Sequence, residues 1–447
     1  MMMENIKISN FLDTSYKEYA LYVIKQRAIP SVIDGLKITP RKILYVSSKI
    51  WKNYDNEEKV ETLAGRVLSD AKYHHGSASL EDAIVSMAQQ FKNNLPMLND
   101  DGQYGSVKSP NPSAARYIET KLKPIFWDVF KDGDLLSYNE EDGKVIEPNY
   151  FLPIIPMILI NGQSGIAIGH ASDIMNRNAK DVIKACILYL NGKKIINISP
   201  QINGFDGDFV NDITNNKKWY IYGRYDQLNT TTIKVTEVPP SMTYEKYEEY
   251  LDGLVFDKKI ISYENIGKGI IDYRVKMNRY DLSKMEDIDI KKLLGLIEMK
   301  TENFTCLDEN NNLKIFDKTE DIISYFVDFR LKWYQVRKDK QIKETEDDIS
   351  KLRSRGKFIK AIIDGEVIIN KRSKEDIISQ IETLKLIKID DSYDYLLNMP
   401  IYSLTKEKWE ALISDGKSKI AKLDEIKKSD PKQTYIDELN YLLKVIK

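Results

Sequence analysis

The chain is poor in the residues that build disulfide frameworks, metal centres and membrane spans. It has 2 cysteines in 447 residues, Cys186 and Cys306. They are too few and too far apart for a disulfide framework or a four-ligand metal site, and they fit a reducing cytoplasm. No charged segment followed by an apolar core opens the chain, so we expect no secretory signal. The longest apolar run, residues 151–160, is about half a membrane span and is predicted to be a buried strand.

The chain also has almost no net charge. It carries 67 Lys and Arg against 68 Asp and Glu, with a sequence pI near 6.4. Overall basicity therefore does not point to a nucleic-acid partner. Between Lys25 and Lys72 there is a local cationic excess, which is suggestive only, because a charged helix face is usually just solvated. The length predicts two to four domains with cores of their own.

The first part of the chain is predicted to be short helices joined by turns. Thr39 is a good N-cap with Pro40 at the first helical position, and apolar residues then recur on one face. A second helix is predicted over residues 59–71. Ser79 with Asp82 resembles a capping box that opens a third helix. Helices followed by loops in this order are compatible with a winged-helix DNA-binding domain.

The pattern changes twice further along the chain. From residue 149 to 317 short β-rich runs alternate with helical stretches, which predicts an α+β domain. From Glu320 the chain is long-helical. Two further helices, over about 374–387 and 406–427, flank a segment at 395–405. The apolar spacing 4, 3, 4, 3 indicates a coiled-coil seam or, alternatively, a helical hairpin packed on its own chain; the seam residues are Ile322, Phe326, Phe329, Trp333 and Val336.

The pair Arg116-Tyr117 is the strongest chemical signal. Arg-Tyr also occurs at 224–225 and 279–280, but only this copy follows a glycine-bearing loop at 100–106 and a His-His-Gly turn at 74–76. A tyrosine hydroxyl can attack phosphorus, although a phenol with a pKa near 10 needs activation. An arginine stays protonated and can clamp phosphate oxygens as charge develops. A tyrosine taken at random is usually a packing residue; this context favours a nucleophile.

Several ordered motifs together resemble the breakage-and-rejoining subunit of the type IIA DNA topoisomerases. The resemblance spans roughly residues 16–445. The adjacent histidines, where bacterial gyrase A subunits have His-Pro-His, look more like the eukaryotic and phage members. The matching motifs are Arg27-Ala28-Ile29-Pro30, Asp34-Gly35-Leu36-Lys37, Tyr73-His74-His75-Gly76, Met87-Ala88-Gln89, Gly102-Gln103-Tyr104-Gly105, Ala115-Arg116-Tyr117, and the segments 151–156, 161–167 and 395–405.

The resemblance implies an α+β multidomain fold. Its expected parts are a winged-helix cleavage domain at residues 16–148, an α/β tower domain at 149–318, and a coiled coil with a C-terminal dimerisation gate at 319–447. The implied activity is a transient double-strand break through 5′-phosphotyrosyl links, followed by strand passage. The alternative is a non-catalytic DNA-binding scaffold with the same fold. A tyrosine recombinase is a more distant alternative, because its Arg/His/Lys constellation is not evident.

The resemblance also implies roles for individual residues. Tyr117 matches the family's nucleophilic tyrosine, and Arg116 matches the arginine beside it. Arg27 matches the arginine that neutralises the scissile phosphate from the partner side. His75 matches the histidine beside the cleavage site, where it could donate to a phosphate or move a proton. Ile166 matches the isoleucine that wedges between base pairs and bends the duplex. The remaining expected DNA contacts are Lys37, Arg41, Lys42, His74 and Gln103.

The family's cofactors are expected on a different chain. The sequence has no Gly-x-x-x-x-Gly-Lys-Ser/Thr phosphate loop and no convincing Asp-x-Asp motif near a strand. ATP and Mg²⁺ are therefore expected on a separate subunit, and we assign no metal ligand or cofactor-binding residue here. The other expected partners are double-stranded DNA and a second copy of the chain, with no membrane. The chain ends without room for a DNA-wrapping domain, which predicts that the enzyme relaxes DNA and does not introduce negative supercoils. The expected location is the cytoplasm.

Overall fold

The computed structural model describes residues 12–53, 55–267, 269–389 and 391–446, so Lys447, the last residue of the expected third domain, lies outside it. The chain divides into two compact units. Unit 1 consists of two segments of the chain, one that ends at Arg330 and one that begins at Glu438. Unit 2 is Leu331–Asp437. The expected boundaries at 148/149 and 318/319 are not boundaries of this division, and the three-domain scheme stays a prediction.

Unit 1 opens with helices whose apolar faces match the sequence pattern. A helical stretch at the start is exposed up to Val23, and the following three helices bury their apolar stripes, Ile43 and Leu63 among them. The helices are α1 (Lys17–Val23), flanked by the π-helical turns Leu12–Tyr16 and Ile24–Ala28, then α2 (Ile38–Ile50), α3 (Val60–Asp70) and α4 (Ser77–Ala88).

The predicted caps are wrong, by two residues for α2 and by three residues for α4. Lys37 and Gly76 occupy the N-cap positions, and neither makes a side-chain cap bond. Pro40 instead lies in the first turn of α2, where backbone N–H groups have no helical acceptor, so proline costs no hydrogen bond. Ser79 is inside α4 and its hydroxyl donates to the Gly76 carbonyl over 2.9 Å. The apolar periodicity predicted the helices better than the caps predicted their ends.

Short antiparallel pairs join these helices to the rest of unit 1. The run at 151–160 was predicted to be one buried strand; it is buried, but only residues 152–153 are extended and a helical turn follows Pro156. The elements are β1 (Glu58–Lys59) paired with β2 (Glu119–Thr120), α5 (Ile125–Val129), β3 (Phe130–Lys131) paired with β6 (Leu152–Pro153), the hairpin β4 (Tyr138–Glu141) and β5 (Lys144–Pro148), and α6 (Met157–Ile160).

The second half of unit 1 contains the predicted β-rich region. A three-stranded sheet has the order β15-β10-β9, and a four-stranded sheet has the order β11-β12-β14-β13 and packs its buried face on helices. The elements are β7 (Gln163–Ile166), β8 (Ala171–Ile174), α7 (Ala179–Leu190), β9 (Asp208–Asn211), β10 (Lys218–Tyr222), β11 (Arg224–Gln227), β12 (Thr232–Glu237), α8 (Tyr244–Phe256), β13 (Ser262–Asn265), β14 (Tyr273–Lys276), α9 (Arg279–Lys284), α10 (Asp287–Leu293), β15 (Ile297–Thr301), β16 (Phe304–Leu307) and β17 (Leu313–Phe316).

Helices dominate the rest of the chain. The predicted long helix and the two predicted helices after it are confirmed. The helix predicted over 374–387 ends earlier, at Thr383, shortly before Lys385, whose backbone is left-handed. No helix of the described ranges is both long and apolar enough to cross a membrane. The elements are α11 (Thr319–Ile363), α12 (Lys374–Thr383), α13 (Asp394–Leu397), α14 (Lys406–Lys428) and α15 (Pro431–Val445), with a 3₁₀ turn at Ile401–Ser403.

The apolar seam predicted along α11 is only partly buried. Its first residues, Ile322 and Phe326, are fully buried, whereas Val336 is 45% exposed. In unit 2 the buried residue of that turn is Tyr334, which stacks on Tyr435 at 4.5 Å between ring centroids. This part of α11 therefore packs against a later helix of its own chain, which was the alternative to a coiled-coil seam.

One buried ion pair ties three parts of unit 1 together. Arg177 and Glu302 are both fully buried, and the Arg177 guanidinium donates to the two carboxylate oxygens over 2.9 and 2.7 Å. Glu302 also accepts from the Met175 amide at 2.8 Å and from Trp219 Nε1 at 3.0 Å. The carboxylate thus has four donors, which satisfies a charge that would be costly to bury alone.

We predict that Glu302→Ala destabilises unit 1 by about 3–5 kcal/mol, because it leaves the Arg177 charge buried without a partner. Urea unfolding monitored by far-ultraviolet circular dichroism measures the change. The control is Asp317→Ala, since Asp317 is 94% exposed in its pair with Lys217 and should change stability by less than about 1 kcal/mol. Equal effects of the two substitutions would contradict the role assigned to the buried pair.

Candidate functional site

Tyr117 projects from the turn that leads into β2. The Tyr117 amide donates to the Ala114 carbonyl over 2.9 Å, which closes the turn. The next residue, Ile118, is 1% exposed, whereas the Tyr117 side chain faces solvent with 69% exposure. The Arg116 guanidinium lies 5.0 Å from the centre of the Tyr117 ring. The two residues predicted to act together are therefore adjacent in space as well as in sequence.

The loop before Tyr117 is held in shape by glycines and by one buried glutamine. Gly105 has φ +84°, and a Cβ there would lie 2.7 Å from the Pro110 carbonyl oxygen, so a larger residue does not fit. Gln89 is 1% exposed and its amide nitrogen donates to the Tyr104 carbonyl over 2.7 Å. The Gln103 carbonyl accepts from the Ser113 amide at 2.9 Å. These bonds fix the path of the chain up to Arg116.

Arg27 and His75 are brought together from residues 48 positions apart. Arg27 Nη2 lies 3.0 Å from His75 Nε2 and 3.3 Å from Nδ1. Because arginine can only donate, the histidine must accept through an unprotonated nitrogen. Desolvation, followed by the charges of Arg27 and His74, lowers the pKa of His75 below its ordinary value of 6.5. His75 is therefore neutral at neutral pH and can orient the guanidinium.

The neighbouring histidine has a different partner. His74 Nε2 lies 2.8 Å from Glu141 Oε1 on β4. Among the described residues no hydrogen bond joins the Tyr117 side chain to Arg27 or His75. The structure thus forms two separate groups, Arg116 with Tyr117 and Arg27 with His75, within unit 1.

Lys37 fastens the hairpin that carries Ile166. Lys37 Nζ donates to the Ser164 carbonyl over 2.7 Å, and burial lowers the pKa of the ammonium group. A Cβ on Gly165 would lie 2.0 Å from the Ala28 carbonyl oxygen and 3.0 Å from Lys37 Nζ. The hairpin therefore rests directly on the backbone next to Arg27. Ile166 itself is 88% exposed, so it is no core residue.

Two predicted DNA contacts, Arg41 and Lys42, are paired with carboxylates inside the protein. Arg41 binds the buried Asp34 through Nε at 2.7 Å and Nη2 at 3.1 Å. Lys42 Nζ donates to Glu147 Oε2 and to the Ala71 carbonyl, each over 2.6 Å. Both cations are less than a tenth exposed. Their charges are neutralised inside the protein, where they position α2, and a DNA contact by either residue stays a prediction.

A cleft in unit 1 contains cations that the sequence analysis missed. It has a volume of about 680 Å³ and is lined by Arg27 and Lys37 as well as by Lys92 and Lys300. Desolvation lowers the pKa of Lys92, and the Asp82 carboxylate opposes that shift. Lys300 is paired with Asp173 at 3.1 Å. Neither lysine lies in a recognisable motif; only the fold brings them beside Arg27.

One group of carboxylates in the described ranges could hold a metal ion. Oxygen atoms of Glu57, Asp101 and Glu119 lie within 4.8 Å of one another. Glu57 already accepts from Asn99 Nδ2 at 2.9 Å, and acidic groups on protein surfaces are common without an ion. Nothing else at this position points to a metal, so we assign no metal site to it.

We predict that Gly165→Ala destabilises unit 1 by about 1–3 kcal/mol, because the added methyl group would displace the hairpin from Ala28. Hydrogen exchange should increase over residues 163–174. The matched control is Gly65→Ala in α3, where a Cβ meets nothing within 4 Å. This control should be neutral or stabilising by up to about 1 kcal/mol. Wild-type exchange at 163–174 in the Gly165 variant would show that the hairpin does not depend on this contact.

Comparison with known proteins gives consistent results. The family model for the A subunits of DNA gyrase and topoisomerase IV matches residues 27–441. The mitochondrial DNA topoisomerase 2 of Dictyostelium discoideum is 33% identical, covering 98% of this chain and 35% of the relative. The DNA topoisomerase medium subunit of Enterobacteria phage T4 is 32% identical, covering 98% of this chain and 99% of the relative. The chain thus spans about a third of the eukaryotic relatives but nearly the whole of the phage protein.

A solved structure extends the comparison to the fold. The DNA-binding, cleavage and re-ligation domain of Plasmodium falciparum topoisomerase II superposes with a TM-score of 0.83 and 31% sequence identity. The match covers 97% of this chain and 63% of that one. The resemblance inferred from the motifs is confirmed, and so is the α+β fold class. The chain belongs to the family of DNA gyrase and topoisomerase IV A subunits, which are the DNA-cleaving and rejoining subunits of the type IIA topoisomerases.

Proposed function

We propose that this chain cleaves and rejoins DNA with Tyr117 as its nucleophile, as part of an ATP-dependent type IIA topoisomerase that relaxes supercoils. The observation that carries the proposal is the 69% exposed Tyr117, at the end of a rigidly held loop with Arg116 against its ring. A packing tyrosine would bury its ring. An exposed phenol fixed by its backbone is instead free to meet a substrate as large as a duplex.

The proposed reaction is a reversible transfer of a phosphoryl group. The Tyr117 oxygen loses its proton and bonds to phosphorus, the bond from phosphorus to the 3′ oxygen breaks, and that oxygen takes up a proton. The 5′ end is then held on tyrosine. Because the phosphotyrosyl ester conserves the bond energy, resealing by the reverse steps needs no external energy. Arg116 stabilises the charge that develops on the phosphate oxygens.

We propose that Arg27 and His75 serve the Tyr117 of a second copy. In the part of the chain that the structure describes, neither Arg27 nor His75 has a hydrogen bond to the Tyr117 side chain, which supports action across a dimer. His75 holds the guanidinium in place before DNA arrives, so less side-chain entropy is lost when the phosphate binds. Two copies would each cut one strand and pass a second duplex through the break.

The DNA path in this proposal follows the cation-lined cleft. Lys37, Lys92 and Lys300 line this cleft, and the expected contacts His74 and Gln103 would extend the path beyond it. Arg41 and Lys42 would act from inside the protein. Since Lys37 already binds the Ser164 carbonyl, its first role is to hold the hairpin beneath the duplex. Ile166 then projects from a glycine-flanked strand as the wedge that unstacks one base step, at a cost of a few kcal/mol.

The finer domain assignments are part of the same proposal. Residues 16–148 would form the winged-helix cleavage domain and 149–318 the tower, with the coiled coil and dimerisation gate at 319–447. The helix succession α2 to α4 supports the first, and the two sheets support the second. For the third, the support is the resemblance at 395–405 and the long α11. The chain would then form a homodimer through its C-terminal part.

ATP and Mg²⁺ are proposed to bind a partner subunit. The absence of a phosphate loop in the sequence supports this for ATP. When bound, Mg²⁺ would supply charge stabilisation at the scissile phosphate. The phage relative is itself described as a medium subunit, which indicates an enzyme of several chains. A chain that acts on DNA in a phage-infected bacterium would work in the host cytoplasm.

We predict that Tyr117→Phe abolishes covalent attachment to DNA and leaves DNA affinity nearly unchanged, because only one oxygen is removed. Arg116→Ala should slow cleavage by roughly 10²–10³, the usual effect of losing one charge stabiliser. The measurement is denaturing electrophoresis of the DNA after reaction of supercoiled plasmid with the chain, Mg²⁺ and the ATPase-bearing partner. The 5′ polarity of the attachment distinguishes a topoisomerase from a tyrosine recombinase.

The matched control is Tyr280→Phe, because Tyr280 also follows an arginine and is 64% exposed. It should cleave like the wild type. Protein that remains on DNA with the Tyr117 variant would refute the nucleophile. If the wild-type chain binds and bends DNA but never forms a covalent link in the reconstituted enzyme, the non-catalytic scaffold is the correct function.

We predict that Ile166→Ala reduces DNA bending and cleavage together while thermal stability stays almost unchanged, because the side chain is 88% exposed. A buried isoleucine truncated in this way would instead cost about 2–5 kcal/mol. Fluorescence transfer between the ends of a labelled duplex reports bending, and a melting curve reports stability. Ile213→Ala, at a residue with no burial, is the control and should leave both unchanged. Normal bending by the Ile166 variant would exclude the wedge.

A further inference from the structure

Two glycines lie inside helices of unit 2 at positions where no neighbouring atom of the chain requires the absence of a side chain. Gly356 is in α11 and Gly416 is in α14. Glycine destabilises a helix interior relative to alanine, so a glycine there normally allows some close contact. A Cβ on Gly416 would meet nothing within 4 Å, and a Cβ on Gly356 would meet only the Ile413 Cδ1 atom at 4.0 Å. Both positions have room for a side chain that the sequence does not supply.

The two glycines line the same cavity. It lies between α11 and α14 and has a volume of about 300 Å³. Its walls are apolar, and parts of them remain in water, since Ile413 is 40% and Ile420 37% exposed. Apolar cavities half this size bind small apolar molecules. The apolar lining residues are Ile349, Leu352, Trp409, Leu412, Ile413 and Ile420.

The rim of this cavity is cationic. Four exposed basic side chains surround it, and none of its lining residues is acidic. Other lysines of α14 are paired across to α11, as Lys419 is with Asp348. Within the described ranges the rim cations form no ion pair. They are Arg353, Lys357, Lys360 and Lys417.

We propose that this cavity binds a small amphiphilic anion, a molecule with one apolar chain or ring and one carboxylate, sulfonate or phosphate group. The apolar part would fill the gap at the two glycines, and the anionic group would meet the rim cations. The volume is at the lower end of ligand pockets, roughly 300–1,000 Å³, and is too small for a helix, which is about 10–12 Å across. The ligand would bridge α11 and α14. This proposal is independent of the proposed catalytic function.

The test is calorimetric titration of the full chain with decanoate, decanol and decylammonium, which share one apolar chain and differ in charge. We expect one saturable decanoate site, weaker binding of decanol and the weakest binding of decylammonium. Gly416→Leu should fill the cavity and weaken decanoate binding by about tenfold or more, since the buried apolar contact is lost. Lys417→Gln and Arg353→Gln should each weaken decanoate binding by about two- to fivefold and leave decanol unchanged.

The matched control is Gly253→Leu in α8, another helical glycine at which a Cβ would meet nothing within 4 Å. It should bind decanoate like the wild type. Gly416→Ala, which alters the helix least, should weaken binding in the same direction if the leucine variant does not fold. No saturable binding, binding to Gly416→Leu at wild-type affinity, or equal binding of decanoate and decylammonium would overturn the proposal. The proposal would also be overturned if Gly416→Leu changed self-association of the chain but bound decanoate with wild-type affinity. That result would assign the cavity to contact with a second copy.

Discussion

The candidate site depends on one buried carboxylate. Asp34 is fully buried and accepts four hydrogen bonds, two from Arg41, one from the Leu36 amide at 3.1 Å and one from the Phe151 amide at 3.1 Å. A carboxylate this deep is tolerable only because its partners replace water. These bonds fix the chain between Arg27 and α2 against the segment that begins at Phe151. Arg27 and the Lys37 contact with the hairpin that carries Ile166 therefore share one rigid support.

Apolar periodicity predicted the helices and strands well because burial selects it directly. The helix ends were predicted less well, because a cap adds only about 1 kcal/mol and so does not by itself fix where a helix begins. The helices begin before Thr39 and Ser79. Arg41 and Lys42 show the same limit for charge. A sequence records that a cation is present, but only the fold shows Asp34 and Glu147 beside it. The sequence analysis missed Lys92 and Lys300 because no local pattern indicates that the fold places them at the cleft.

Exposure separates the proposed nucleophile and the proposed wedge from packing residues of the same type. Tyr117 precedes the buried Ile118, and Ile166 ends a strand whose Gly165 lies against Ala28. In each case a neighbouring residue anchors the backbone, so the exposed side chain is held in a defined position. Apolar groups on mobile surface tips lose both backbone and side-chain entropy on binding; here the backbone is already anchored by these contacts, so its part of the loss has occurred on folding. The motifs predicted roles for these residues, and their exposure on an anchored backbone supports the proposal.

The contact between Arg27 and His75 is also sensitive to pH. The pKa of His75 in the folded chain is below its ordinary value of 6.5, so the fold favours the neutral ring. The stability that the contact contributes is present above pH 6.5 and is lost as the pH falls through the lowered pKa, because a protonated ring cannot accept from arginine. Protonation would place two cations side by side and release the guanidinium. The Arg27 guanidinium, which we propose to bind phosphate, is thus held by His75 only when this imidazole is neutral, which is its state at neutral pH.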